Sequence, residues 1–321
     1  MRAIVVTRHG GPEVLELADR PAPEPERGQL LVDVEAAGVN YRDIYEREGG
    51  GAHAAEPPHL AGVEGAGTVA AVGDGVDRFR PGERVAWTHA PGSYAEQVIV
   101  DADAAVPLPD GIATDVAAAV MLQGSTAHYL ATSTYPVQSG DSVLVHAAAG
   151  GVGLLLTQIA KRRGGRVIAT TSTDEKAALA RAAGADETIG YEGFAERARE
   201  LTGGEGVAAV YDGIGAATFD ESLAALRPRG FMVLYGAASG QPPPVAIAKL
   251  NAVSLFLTRP TLTHYGREGA ELRTRAADLL GWIADGTLDV RIGGRYALED
   301  AARAQADLAS RATTGKLILT P

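Results

Sequence analysis

The residues whose types and spacing bear most directly on chemistry begin at Ala148. Ala148, Gly150 and Gly153 form a variant of the G-x-G-x-x-G bend, with alanine in the first place. Ser142 to Val145 reads as a short buried strand leading into the bend, and Leu154 to Arg163 continues with helical spacing of apolar positions. A strand, a small-residue turn and a helix start bring free N–H groups and the positive end of a helix dipole to one place. A pyrophosphate binds there when the side chains are small enough to let it reach the backbone. The bend alone is equally that of an ordinary crossover, so its context carries the reading. A second apolar run, Arg166 to Thr170, ends in Thr171-Ser172-Thr173, and a helix over Asp174 to Ala183 follows. Together these make one βαβ unit.

The end of that second strand selects the dinucleotide. An NAD site carries Asp or Glu there, bonding the ribose 2′-hydroxyl. Thr171 or Ser172 fills the position here, and hydroxyls do not repel a 2′-phosphate. Lys176, in the first turn or so of the next helix, supplies the matching charge. The sequence therefore points to NADP(H) rather than NAD(H).

Composition bounds the remaining classes. The chain has 321 residues, 29 basic against 40 acidic side chains, a formal charge of −11 and no cysteine. That length predicts two domains with ample core. The acidic balance argues against nucleic acid or an anionic membrane as partner. Without cysteine there are no disulfides, Fe–S clusters, thiolate zinc sites or cysteine nucleophile. Met1 to Gly10 carries Arg2 and Arg8 with no long apolar run, which is not the pattern of a secretory signal. No stretch approaches the ~20 apolar residues of a membrane span. A soluble cytoplasmic protein is expected. Gly124-Ser125-Thr126 lacks the G-x-S-x-G elbow of a serine hydrolase.

Other elements must position the bend. Alternating short strands are predicted over Met1 to Thr7, Val14 to Leu17, Gln29 to Ala37, Gly67 to Val72, Arg84 to Trp87 and Tyr94 to Val100. Separated by Gly and Pro, they suggest a barrel-like β domain. Asn40 to Arg47 predicts a short helix ended by Gly49-Gly50-Gly51. Thr114 caps an Ala-rich helix over Asp115 to Met121. Gln123 to Ala127 breaks or bends it, and His128 to Thr132 continues it. Later parallel strands are expected at Val207 to Tyr211, Phe231 to Tyr235 and Val253 to Leu257. Ligands bind beyond the carboxyl ends of such strands, so Thr171, Gly213, Gly236 and Arg259 should crowd one crevice. Ala270 to Ala284 predicts a helix; Ala301 to Ala309 and Lys316 to Leu319 predict a helix and a strand returning to the first domain.

With these segments in view, the chain resembles the zinc-independent quinone oxidoreductases, the zeta-crystallin-like branch of the medium-chain dehydrogenase/reductase superfamily. The matching segments are Ala37-Gly38-Val39-Asn40-Tyr41-Arg42-Asp43, Gly62-Val63-Glu64-Gly65-Ala66-Gly67, Gly124-Ser125-Thr126-Ala127 and His146 to Gly153. Tyr211-Asp212, Thr258-Arg259-Pro260 and Ser310-Arg311-Ala312-Thr313 follow in the same order. The resemblance implies an α/β protein with a GroES-like β-barrel catalytic domain, residues 1–123 and 262–321. That domain would wrap around a Rossmann domain, a doubly wound parallel sheet over residues 124–261. It implies NADPH in the cleft, a homodimer, and metal-free reduction of a quinone or conjugated carbonyl. Two alternatives remain: an enoyl or 2-alkenal reductase on the same fold, and a non-enzymatic NADPH-binding protein.

The resemblance also implies site residues. Asn40 lies beside the nicotinamide and is linked to catalysis, with Tyr45 and Thr126 lining the same site. Ala149, Gly150, Gly151 and Val152 meet the pyrophosphate. Ser172, Lys176 and Tyr191 surround the 2′-phosphate. Gly213, Tyr235, Gly236, Arg259, Pro260 and Arg311 follow the rest of the cofactor. The acceptor pocket is expected near Tyr45, Ala52 and His264. Zinc-dependent relatives carry Cys at the place of Asn40 and His at that of Val63. His59 and His89 alone, without spacing or thiolates, make a poor zinc site. Asn40 is read as a donor to a developing oxyanion or as positioning the nicotinamide ribose, and Glu64 as bonding backbone.

Overall fold

A run of β-branched and small apolar residues forms the first strand. β1 (Arg2–Val6) pairs antiparallel with β2 (Leu15–Asp19) and buries Ile4 and Val6. The computed structural model describes residues 1–50, 54–266 and 269–321. It divides into Met1–Gln123 with Glu268–Pro321, called unit 1, and Gly124–Arg267, called unit 2.

In unit 1, β3 (Gln29–Val39) is the central strand, followed by helix α1 (Tyr41–Arg47), β4 (His59–Leu60), β5 (Glu64–Val72), β6 (Arg84–Trp87), β7 (Gln97–Asp101) and β8 (Val106–Pro107). β3 pairs antiparallel with β5 and β7. Val32, Val69, Trp87, Tyr94 and Leu319 meet in its core. Two registers matter for the site: Gly38 lies opposite Glu64, and the last strand of the chain, described below, sets Leu317 opposite Val39.

Helix α2 (Thr114–Tyr129) runs unbroken through Gln123 to Ala127 and passes into a wider π-type turn over Leu130–Thr134. The expected break is absent because the segment is buried; Ser125 and Ala127 are fully enclosed, and packing overrides the weak helix propensity of Gly124 and Ser125.

Unit 2 continues with β9 (Ser142–Val145), α3 (Gly151–Arg162), β10 (Arg166–Thr170), α4 (Asp174–Ala182), β11 (Glu187–Ile189) and α5 (Phe194–Leu201). Then come β12 (Val207–Asp212), α6 (Phe219–Ala225), β13 (Leu226–Leu234), α7 (Ala248–Asn251), β14 (Phe256–Thr258) and α8 (Leu262–Tyr265). Its strands run parallel in the order β11-β10-β9-β12-β13-β14. This is the doubly wound Rossmann order, and the winding reverses beside β9. The last strand starts later than Val253 because Ser254 takes a left-handed φ of 56°, which ends extended pairing there.

The chain returns to unit 1 as α9 (Gly269–Ala284), β15 (Ile292–Ala297), α10 (Ala301–Ala309) and β16 (Lys316–Thr320). β16 joins β3 antiparallel and β15 parallel. β15 carries no clear strand signal in sequence, since Gly293 and Gly294 interrupt its alternation.

Candidate functional site

In unit 2 the predicted bend lies between β9 and α3. Gly150 is the N-cap of α3 and makes no side-chain cap bond, so the leading N–H groups of the helix stay uncovered. A Cβ on Gly153 would collide with Ala147 O and Ala148, so glycine is required for α3 to pack against the turn. A Cβ on Gly150 would meet only Ala147 O, at 3.2 Å, so the side of the bend at Gly150 is otherwise open. Ala147 takes a left-handed φ of 48°, and its N–H donates to Tyr191 Oη at 3.1 Å.

A buried relay supports the bend. His146 Nδ1 lies 2.8 Å from Thr170 Oγ1, and Nε2 lies 3.0 Å from Ser222 Oγ. Ser222 Oγ donates to Asp212 Oδ2 at 2.9 Å, and Thr218 Oγ1 donates to the same oxygen at 2.7 Å. The one serine proton is thereby used, so His146 carries its proton on Nε2 and accepts from Thr170 at Nδ1. Burial drives the imidazole down to about 4, against the pull of the Asp212 charge, and keeps it neutral. Asp212 Oδ1 accepts from the N–H groups of Ile214 and Gly215 at 2.8 and 3.0 Å. The carboxyl ends of β9, β10 and β12 are thus tied together.

Of the four residues expected in one crevice, three touch. A Cβ on Gly236 would lie 2.5 Å from Gly213 O, and one on Gly213 would lie 2.8 Å from the Tyr235 ring. Arg259 Nη1 donates to Gly236 O at 2.7 Å, and Pro260 follows directly. Thr171 stands across β9 from them at the end of β10, its N–H donating to Ile189 O at 3.0 Å. Ser172 is exposed, and Lys176 is half-buried in the first turn of α4, where its N–H donates to Thr173 Oγ1 at 3.3 Å. Ala149 and Thr126 are buried, and Gly151 and Val152 are half-buried at the start of α3. His264 is exposed on α8.

In unit 1 the site is a buried charged cluster. Asn40, 3% exposed, is the N-cap of α1. Its Nδ2 donates to Glu64 Oε2 at 2.9 Å and to Gly38 O at 3.2 Å, and its Oδ1 accepts from Lys316 Nζ at 2.7 Å. Lys316, 1% exposed, also donates to Glu64 Oε2 at 2.5 Å. Glu64 Oε1 accepts from Leu122 N–H at 2.5 Å. A Cβ on Gly38 would strike the Glu64 carboxylate and the Lys316 stem, so the cluster requires glycine there. Both amide hydrogens of Asn40 are committed, which takes away the free donor expected for an oxyanion. Glu64 does more than bond backbone: it is the counter-ion of Lys316.

Below this cluster Asp43 Oδ2 accepts from Asn40 N–H at 2.8 Å and Tyr94 Oη at 2.7 Å. Burial pushes the Asp43 carboxyl up to about 6, opposed by the Tyr94 bond. Tyr45 is half-buried on α1, its ring centroid 6.2 Å from that of Tyr41. Arg311 is exposed after α10 with a left-handed φ of 60°. Ala52 lies outside the described residues. Lys316 is the site residue that sequence reasoning missed; a lysine opening the otherwise apolar run Lys-Leu-Ile-Leu was its signal.

The donor sets of the two groups at issue differ. For a dinucleotide, the uncovered helix start, the open face at Gly150 and the hydroxyl-tipped second strand fit. For zinc, the residues do not fit. Val63 offers no donor, there is no cysteine, and the Lys316 ammonium already holds Asn40 Oδ1 and Glu64 Oε2. Among the described residues no group of three His, Cys, Asp or Glu could hold a metal ion.

Residues 26–110 match the alcohol dehydrogenase GroES-like domain family, and residues 151–282 match the zinc-binding dehydrogenase family. The chain is 44% identical to a quinone oxidoreductase of Pseudomonas aeruginosa, over 100% of this chain and 99% of that one. It is 39% identical to a 2-haloacrylate reductase of a Burkholderia species, over 99% and 98% of the two chains. A mycobacterial protein solved in complex with NADPH superimposes with a TM-score of 0.97 at 51% identity, over 100% of both chains.

Proposed function

This chain belongs to the quinone oxidoreductase family of the medium-chain dehydrogenase/reductase superfamily, and we propose that it catalyses the NADPH-dependent reduction of a quinone without a metal ion. The observation that carries this reading is the bend: an uncovered helix N-terminus, open at Gly150, beside a second strand that ends in hydroxyls. The full-length likeness to a chain solved with NADPH supports the same cofactor.

When bound, NADPH supplies reducing equivalents to a conjugated acceptor. The roles assigned to the protein follow from its own groups. N–H groups at the start of α3, with Ala149, Gly150, Gly151 and Val152, hold the pyrophosphate. Ser172 and Lys176 take the 2′-phosphate, and Tyr191 braces the turn through Ala147. Gly213, Tyr235, Gly236, Arg259 and Pro260 line the remainder, with Arg311 and Thr126. Asn40, held at both ends by Glu64 and Lys316, positions the nicotinamide ribose through the second lone pair of Oδ1. Tyr45 walls the acceptor. A conjugated acceptor spreads developing charge over its own system, so placement and dryness matter more than a Lewis acid.

In this reading residues 124–261 form the NADPH-binding domain, and residues 1–123 and 262–321 the catalytic one. We further assign a cytoplasmic homodimer. β14 is the edge strand of its sheet and carries Phe256, 51% exposed, an edge suited to pairing with a second copy. The relative named as a 2-haloacrylate reductase favours a second reading, reduction of an enone or related conjugated carbonyl on the same site. Steady-state NADPH oxidation against a quinone panel and an enone panel separates the two. Quinone turnover is expected; fast enone reduction without it would replace the first reading by the second. NADPH binding with no oxidation in either panel would favour a non-enzymatic role.

A further inference from the structure

Unit 1 contains a cavity of about 260 Å³ that none of the roles above explains. Its apolar walls include Leu60, Val63 and Pro91, and its polar lining is Arg42 and Glu46 from α1 and His59 from β4. Arg42 and Glu46 stand four residues apart and so share a helix face. His59 Nε2 lies 3.3 Å from Glu46 Oε1, so the carboxylate has a cationic neighbour when the imidazole is protonated. Burial pushes the Glu46 carboxyl up, with Arg42 and His59 pulling it back. Arg42 also acts on Glu46 by its charge, but among the described residues it makes no close ion pair. Its Nε is buried without a hydrogen-bond partner, as are Nδ1 and Nε2 of His59. The other charges it faces are Asp43, on its own helix, whose carboxylate bonds Asn40 and Tyr94 instead, and His89, which burial holds down. Buried donors of this kind are costly unless something accepts from them, and a guanidinium suits a carboxylate best.

We propose that this cavity receives the acceptor by a carboxylate, with Arg42 selecting small conjugated acids and His59 shielding them from Glu46. The site rests on the second reading above, a conjugated carbonyl acceptor, and deepens it by naming the carboxylate through which that acceptor is held. Its volume falls just below the ~300 Å³ at which drug-sized sites begin, which fits a single ring or a short chain. Val63 ties the cavity to the reaction site, because the next residue, Glu64, holds the Asn40 amide.

The test is calorimetric titration of the whole protein with benzoate and with benzamide, which match in shape and differ in charge. It needs no turnover, so its outcome is independent of the quinone assay. Benzoate is expected to bind about tenfold more tightly than benzamide. Arg42→Gln should erase that difference, Arg42→Lys should keep part of it, and His59→Gln should weaken benzoate alone. Equal affinity of the two ligands for the unaltered protein would overturn the proposal without any variant being needed. So would an Arg42→Gln protein that loses both ligands to the same degree. Quinone reduction without a benzoate preference would leave the enzyme reading standing and remove this one; the reverse result would do the opposite.

Discussion

The two units solve the problem of a buried polar site in opposite ways. Unit 2 surrounds one buried carboxylate with neutral donors: Asp212 accepts from Ser222, Thr218 and two backbone N–H groups, and burial holds His146 uncharged at the far end of the relay. At the bend itself the open surface is backbone, braced by Tyr191. Unit 1 keeps its cluster charged: Lys316 and Glu64 form an enclosed ion pair with Asn40 between them, and Asp43 lies beneath. That relay ties three strand ends of one sheet. The charged cluster joins Asn40 to a lysine 276 residues later in the chain. A backbone site tolerates no added atoms, whereas a charged cluster tolerates no missing partner.

That contrast can be broken first at Gly153. Gly153→Val forces a branched side chain into Ala147 and Ala148, and should raise the NADPH dissociation constant by roughly 100-fold or more with several kcal/mol of destabilisation. Calorimetric titration and thermal melting measure both. The same insertion at exposed Gly204, where nothing lies within 4 Å of the added Cβ, tests only the left-handed φ of 88° and should spare the cofactor.

Lys316→Met comes next. It strands the Glu64 carboxylate, a loss of about 3–5 kcal/mol for an uncompensated buried charge. Adding Glu64→Gln should restore much of it. If the single variant melts like the parent, the cluster is not a charged one.

Stability against pH sharpens the comparison further. Asp43 is raised from 3.8 to about 6, so the folded state binds the extra proton within that window. Its contribution is complete below pH 4 and is lost as pH rises through 6. His146 is lowered from 6.5 to about 4, so its contribution is complete above pH 6.5 and is lost as pH falls through 4. Amide exchange across pH 4 to 6.5 should therefore show β3 and β5 losing protection as β9 and β12 gain it. Asp43→Asn should flatten the first trend, an effect of about 3 kcal/mol from a shift of that size. Parallel trends in the two units would contradict the assignment.

The smallest expected effect is at Lys176. Lys176→Ala should weaken NADPH about tenfold and leave NADH nearly unchanged, because one half-buried charge would contact one phosphate. Equal loss for both would make Lys176 a bystander.

The contrast also explains what the amino-acid order reveals. Unit 2 reads well because its determinants are local: Ala148, Gly150, Gly153 and the hydroxyls at 171 and 172 lie within one βαβ unit. The contact of Gly213, Gly236 and Arg259 follows from the strand ends that the same pattern places. Unit 1 reads poorly at its centre. Asn40 and Glu64 stand out in glycine-rich segments, but nothing local pairs them with Lys316, which reaches them only when β16 docks on β3. The unbroken α2 was hidden for a related reason: its burial is a property of the whole fold, while Gly124 and Ser125 argue locally for a break. Arg42 sits in a matching segment without a role assigned to it, and it joins Glu46 and His59 only through the cavity they line.

The bend, with Ser172 and Lys176 beside it, is expected to hold NADPH in preference to NADH. Direct titration of the unaltered protein with each coenzyme tests this. Saturable NADPH binding at least tenfold tighter than NADH is the expected result. Preference for NADH, or no affinity for either, would contradict it.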